Sequence, residues 1–219
     1  MNYGELKTLV AEYSHRSDLA AQIPGFIAQG EALITSRVES RYMEKSETVQ
    51  EADRSNPGSV VYTLPDDFLS MRSFALVGEP SNQRRVEMRS LGFVESTFIS
   101  HLPTEQGTPE GYFIVGAETT SDRKILVYPA PVFDAKFSAD YYAIPAKLVD
   151  DADTTRLLGS QADLYLYSAL RYLAIFVQDV EMYQLYDQLF TDIAASDNEQ
   201  TRRYHNEGAA QMQGASTWV

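Results

Sequence analysis

Apolar residues at Leu6, Leu9, Val10 and Tyr13 recur at helical spacing and predict a short helix over residues 3–14, closed near the polar stretch SHRSD. A second helix is predicted to run to about residue 40. Ile23, Ile27, Ile34 and Val38 fall at multiples of about four, Asp18 is placed to cap, and Pro24 sits where a first turn tolerates a missing donor. Gly30 lies on the same line, where glycine costs roughly 1 kcal/mol against alanine, so its presence predicts the close approach of another backbone.

The period then changes. EADRSNPGS is a turn-rich break, after which Val60, Tyr62 and Leu64 alternate with Val61 and Thr63, as in a half-buried strand. MRSFALVG and RRVEM read as short strands and SLGFVESTF as a short helix. GYFIVGA and KILVYPAP read as a hairpin across the polar turn ETTSDR. KFSADYY puts Phe137, Ala139 and Tyr141 on one face and Lys136, Ser138 and Asp140 on the other, which predicts one core face and one wet face.

A linker, AIPAKLVDDADTT, leads into helix again. DLYLYSALRYLAIF, residues 163–176, has apolar residues round nearly its whole circumference, yet Ser168 and Arg171 interrupt a run already short of the ~20 residues a bilayer span needs. Such a helix needs protein partners on several sides: its own core, a neighbouring subunit, or both. A last helix over roughly 180–204 repeats Met182, Leu185, Tyr186, Leu189, Phe190 and Ile193 at threes and fours. The fold class expected is α+β: an α-helical bundle domain from both chain ends, residues 1–44 and 148–205, with a small antiparallel β domain inserted over 45–147.

Composition narrows the function. The 219 residues support one or two cores. A formal charge of −13 with no run of basic residues argues against a gripped nucleic acid. Without cysteine there is no disulfide, thiolate metal site or cysteine nucleophile. MNYGELKTLVAEYSHRSD has neither a basic n-region nor an apolar h-region, so no signal peptide is visible and synthesis in the cytoplasm is expected.

Candidate chemistry is sparse. His15, His101 and His205 lie far apart in polar contexts, without metal-ligand spacing, and read as solvated. DDAD at 150–153 resembles the start of a calcium loop, but Arg156 stands where the sixth-position glycine belongs, leaving an acidic linker or helix-start cap. Phosphate-loop, dinucleotide and serine-hydrolase motifs are absent. A glycosidase-type carboxylate pair of Glu31 with some Asp stays open as an alternative, although no catalytic residue can be named, and neither a metal nor a cofactor is expected. Tyr165, Tyr172 and Tyr186, spaced by seven and fourteen, mark either a core face or an intersubunit contact. Arg171 needs an acidic partner such as Asp179 or a neighbour's carboxylate, unless it snorkels to the surface.

The order of these signatures carries a resemblance. HRSDLAAQIPGFIAQGEALITSRVESRYME is followed by SVVYTLPDDFLSMRSFALVG, TPEGYFIVG, ILVYPAP, ADYYAIPAKL and LLGSQADLYLYSALRYLAIFVQD. Together they resemble the head-to-tail adaptor (connector) proteins of short-tailed bacteriophages and prophages. The resemblance covers nearly the whole chain. It implies a structural virion protein at the head–tail junction, generally a ring of twelve subunits between the portal and the tail nozzle, through which DNA passes without specific binding. The partners implied are the portal protein, the tail nozzle protein, tail fibres and further copies of the chain. Tyr165, Tyr172, Arg171 and Tyr186 become intersubunit candidates. Residues 206–219 are expected to form an extended C-terminal arm that orders on the portal, with Met212, Trp218 and Val219 as its contacts. Some related adaptors carry cell-wall hydrolase activity, and no motif here transfers it. A carboxylate-dependent peptidoglycan hydrolase and a monomeric binding module are the remaining alternatives.

Overall fold

Asn2 and Glu5 start the first helix by capping each other: the Glu5 amide donates to Asn2 Oδ1 at 2.8 Å, and the Asn2 amide to Glu5 Oε2 at 2.9 Å. The structure is a computed structural model and describes residues 1–51, 61–79, 82–90, 106–115, 123–131 and 135–213. Helix α1 (Tyr3–Ser14) buries Tyr3, Leu6, Val10 and Ser14 and ends at His15, in the left-handed region at φ 51°. Tyr13, placed by its spacing on the inner face, is 48% exposed.

The chain divides into two units, residues 1–43 with 145–219, and residues 44–144. In the helical unit α1 is followed by α2 (Ile23–Arg37), α3 (Arg156–Ser160), α4 (Ala162–Phe176) and α5 (Val180–Gln213). Asp18 does not cap α2. It lies in a short 3-10 turn, Ser17–Leu19, where Arg16 holds both its oxygens at 2.8 Å, and α2 starts at Ile23 after an uncapped Gln22, with Pro24 in the first turn. Central in this unit is α4, which packs against α1, α2 and α5. A Cβ on Gly30 of α2 would collide with Ser168 Oγ of α4 and lie 3.3 Å from the Ala169 nitrogen, so glycine permits the helices' approach here.

The acidic linker closes this unit. The first two amides of α1, on Tyr3 and Gly4, donate to the carbonyls of Asp153 and Asp151 at 2.8 and 2.9 Å. Asp153 in turn accepts the Val149 and Asp150 amides, both at 2.8 Å, and these bonds hold its carboxyl below the usual range. The DDAD stretch thus answers the unsatisfied donors of a helix start.

Among the described residues the second unit is built on a sheet of eight strands. They are β1 (Glu44–Glu51), β2 (Val61–Thr63), β3 (Phe68–Glu79), β4 (Asn82–Glu87), β5 (Arg89–Ser90), β7 (Gly111–Val115), β8 (Lys124–Tyr128) and β10 (Phe137–Ala143). Their order across the sheet is β4-β3-β10-β1-β2-β8-β7-β5. A separate pair joins β6 (Gln106–Gly107) to β9 (Ala130–Pro131). Pairing is antiparallel except in β5–β7 and β6–β9. The strands expected in GYFIVGA and KILVYPAP pair antiparallel, with Gly111 opposite Tyr128 and Val115 opposite Lys124, while the turn ETTSDR, apart from Arg123, lies outside the described residues. Phe137, Ala139 and Tyr141 of β10 are fully buried while Ser138 and Asp140 are not, as the alternation predicts. Phe74 stacks on Phe137 at 5.2 Å, and Tyr62 meets Phe137 edge-on at 4.9 Å. Apart from Ser90 in β5, the short helix expected over SLGFVESTF lies outside the described residues.

Candidate interaction surface of the helical unit

Helix α4 has more apolar surface than its own unit covers. Leu164, Tyr165, Leu166, Ala169, Leu170, Leu173 and Ala174 are buried against α1, α2 and α5. Tyr165 is 1% exposed; its hydroxyl lies 3.3 Å from Thr155 Oγ1, and burial pushes its pKa up to about 12. Tyr186 of α5 is also buried, stacked against Tyr167 at 6.2 Å. These two interface candidates therefore serve the core of the unit itself.

Arg171 and Tyr172 differ from them. The Arg171 guanidinium donates to Asp187 Oδ1 at 2.5 Å and to the Tyr183 hydroxyl at 3.1 Å. It lies 5.2 Å from the centroids of both the Tyr172 and Tyr183 rings. Burial pulls its pKa down, but the bonds to Tyr183 and Asp187 more than offset this and leave it raised. Asp179 is not its partner. That carboxylate caps α5 by accepting the Met182 amide at 2.9 Å, while Asp187, two turns further on, faces α4. Tyr172 is half-buried beside the guanidinium.

The surface left uncovered lies where α4 turns into α5. Ile175, Phe176, Val180 and Leu185 are 50, 55, 65 and 55% exposed, four large apolar side chains within eleven residues. Phe176 leans on Phe26 of α2, with ring centroids 5.4 Å apart, and this contact leaves more than half of it in water. Periodicity assigns these residues to packed faces. Their surplus is legible in the all-round apolar pattern of 163–176, but which part stays uncovered depends on where α2 begins and how α5 crosses α4.

On α5 the inward stripe runs through Tyr186, Phe190, Ala194, Asp197 and Thr201, becoming polar toward its end. The cause is its neighbour. Beyond α2 the chain is irregular, and its donors and acceptors need partners. The Glu39 amide donates to Asn198 Oδ1 at 2.8 Å, the Arg41 amide to Thr201 Oγ1 at 3.1 Å, and Asn198 Nδ2 to the Arg37 carbonyl at 3.1 Å. Gln161 Nε2 donates to Asp197 Oδ1 at 3.0 Å. Helix α5 then continues to Gln213, past Tyr204, where apolar periodicity stops. Good helix formers at Glu207, Ala209, Ala210, Gln211 and Met212 carry it on by propensity. Of the expected arm, residues 206–213 are helical and Met212 falls in the last turn. Trp218 and Val219 lie outside the described residues.

The remaining candidates are structural or peripheral. Glu31 is half-buried and accepts the Leu148 amide at 3.3 Å; burial raises its pKa, against the lowering effects of that bond and of Lys147. His15 is exposed, His205 is half-buried rather than solvated, and His101 lies outside the described residues. Among the described residues no group of three or more His, Asp or Glu is arranged to hold a metal ion, and no helix is long and apolar enough to cross a membrane.

A family model described as SU10 adaptor protein matches residues 1–213. The chain belongs to the SU10 adaptor family. A search of curated proteins returned no match. Membership of the SU10 adaptor family makes the chain a bacteriophage adaptor, a structural component of the virion that associates with other virion proteins. It accords with the resemblance to head-to-tail adaptors carried by the order of sequence signatures.

Proposed function

We propose that this adaptor forms a homo-oligomeric ring of twelve subunits between the portal protein and the tail nozzle, lining the channel through which DNA leaves the head. The family match over residues 1–213 carries the reading. The uncovered apolar corner at Ile175, Phe176, Val180 and Leu185 supports it, since a subunit made for assembly keeps surface that its own fold does not use. The formal charge of −13 supports it as well, because an acidic wall surrounds DNA without holding it. In this reading the end of the chain, with Met212, Trp218 and Val219, docks on the portal, where an aromatic anchor typically contributes ~2 kcal/mol or more.

Native mass measurement of the purified protein, with and without portal protein and at several ionic strengths, tests the proposal. Monomer alone and a defined oligomer on portal is the expected result. A chain that stays monomeric with portal present at every ionic strength would refute the ring.

A further inference from the structure

The helical unit carries two uncovered apolar or aromatic surfaces, one where α4 turns into α5 and one far along α5, that cannot meet within one chain. The first is the corner of Ile175, Phe176, Val180 and Leu185; the second is Tyr204, 58% exposed, nineteen positions beyond Leu185. At 1.5 Å per residue a straight helix holds Leu185 and Tyr204 ~28 Å apart. Their charges are complementary. Beside the corner Glu181 is exposed, whereas Asp187 is paired with Arg171 and Asp179 caps α5; residues 175–187 contain no Lys or Arg. Tyr204 follows Arg202 and Arg203, both exposed, of which Arg203 is paired with Glu199 at 3.0 Å, and it is close enough to Arg41 to act on it electrostatically. An apolar patch beside the exposed Glu181 at one end and an aromatic beside Arg202 and Arg41 at the other match each other across two molecules.

We propose that the corner formed by Ile175, Phe176, Val180 and Leu185 receives the Tyr204 region of α5 from a second copy of the chain. The contact is proposed to be head-to-tail, as a ring requires: each subunit offers its corner to one neighbour and its Tyr204 to another, not both to the same partner. A heterologous contact of this kind closes into a ring or runs on as a filament, whereas a two-fold contact would stop at a dimer. The proposal rests on the ring reading and names the surfaces that make it.

The chain contains no cysteine, so introduced thiols report without background. A Leu185→Cys, Tyr204→Cys double variant, mildly oxidised at high concentration or on portal, is expected to give a ladder of disulfide-linked oligomers on a denaturing gel. Disulfide geometry requires Cα atoms within ~7 Å, so the two thiols cannot pair within one subunit. Each single variant should stay uncrosslinked, and an equal mixture of the two singles should stop at a crosslinked dimer. Because both side chains are exposed, the native subunit should tolerate the changes, which thermal melting checks. A double variant that yields only monomer or stops at a dimer, or a single variant that dimerises as readily as the mixture, overturns the proposal. If the parent forms its oligomer on portal while the double variant yields only monomer, these surfaces are wrong and the ring reading stands. If the parent forms no oligomer on portal at any ionic strength, the ring reading itself fails.

Discussion

Tyr165 and Tyr172 occupy equivalent positions one heptad apart on α4, yet only Tyr165 is sealed inside. Replacing Tyr165 by Ala should cost roughly 3 kcal/mol or more, the range for emptying an aromatic site in a core. Tyr172→Ala should cost clearly less, because the ring it removes is half in water. Thermal melting of the two variants measures the difference, and equal losses would contradict it. Spacing by seven places both residues on one helix face; the depth of burial along that face comes from neighbours far away in sequence. Glu31 makes the same point through its charge. Burial disfavours its carboxylate, so its folded pKa lies above the unfolded value and the folded state holds the proton more tightly. The stability this contributes is fully present below the unfolded pKa and is lost as pH rises through the folded pKa. Glu31→Gln keeps an acceptor for the Leu148 amide and removes the titration. The variant should be at least as stable as its parent near about pH 8, with the advantage vanishing toward about pH 4. Chemical denaturation at both pH values checks this, and a variant clearly weaker than its parent at the higher pH would show that the carboxylate is needed.

At the level of elements, Gly30 was the most informative single residue. Its cost within a helix announces a close neighbour, and the structure supplies Ser168 and Ala169 of α4. Gly30→Ala gains ~1 kcal/mol in helix propensity, but its methyl meets Ser168, and overpacking typically costs about 1–3 kcal/mol. A net loss of stability is expected, partly restored by adding Ser168→Gly. A Gly30→Ala variant that melts higher than its parent would show that the helices can part without cost. Helix starts were less legible. Asn2 and Glu5 cap α1, and replacing Asn2 by Ala should cost about 1 kcal/mol by denaturant titration. Asp18, which has a suitable side chain for the same task, is held by Arg16 and does not reach α2. Strand β1 gives almost no apolar signal: EKSETVQE sits between β10 and β2, with Val49 buried and residues 45–48 exposed. Such a strand is held by its ladder of backbone hydrogen bonds, which side-chain patterns do not encode.

At the scale of the whole molecule, the chain's charge and its last residues govern the expected behaviour. Copies carrying −13 each repel one another, so added salt should raise the oligomer fraction formed on portal, as sedimentation would measure. Deleting residues 207–219 removes the last part of α5, beyond Thr201 and His205, which lie on its inward side. The expected outcome is an unchanged melting temperature and loss of portal binding in a pull-down. Lower stability would place the segment in the subunit's own core, and undiminished binding would refute the arm. The α+β class, the helical ends, the pairing of β7 with β8 and the inner face of β10 follow from the sequence alone, because periods of 3.6 and 2 record which faces meet a core. The order of signatures also pointed to the adaptor family. Which apolar residues remain uncovered, which carboxylate answers Arg171 and why the inward stripe of α5 turns polar were decided only by the tertiary structure. Those outcomes depend on how separate elements meet, some of them across more than a hundred residues of chain, as Arg37 and Asn198 do, and local periodicity holds no record of that.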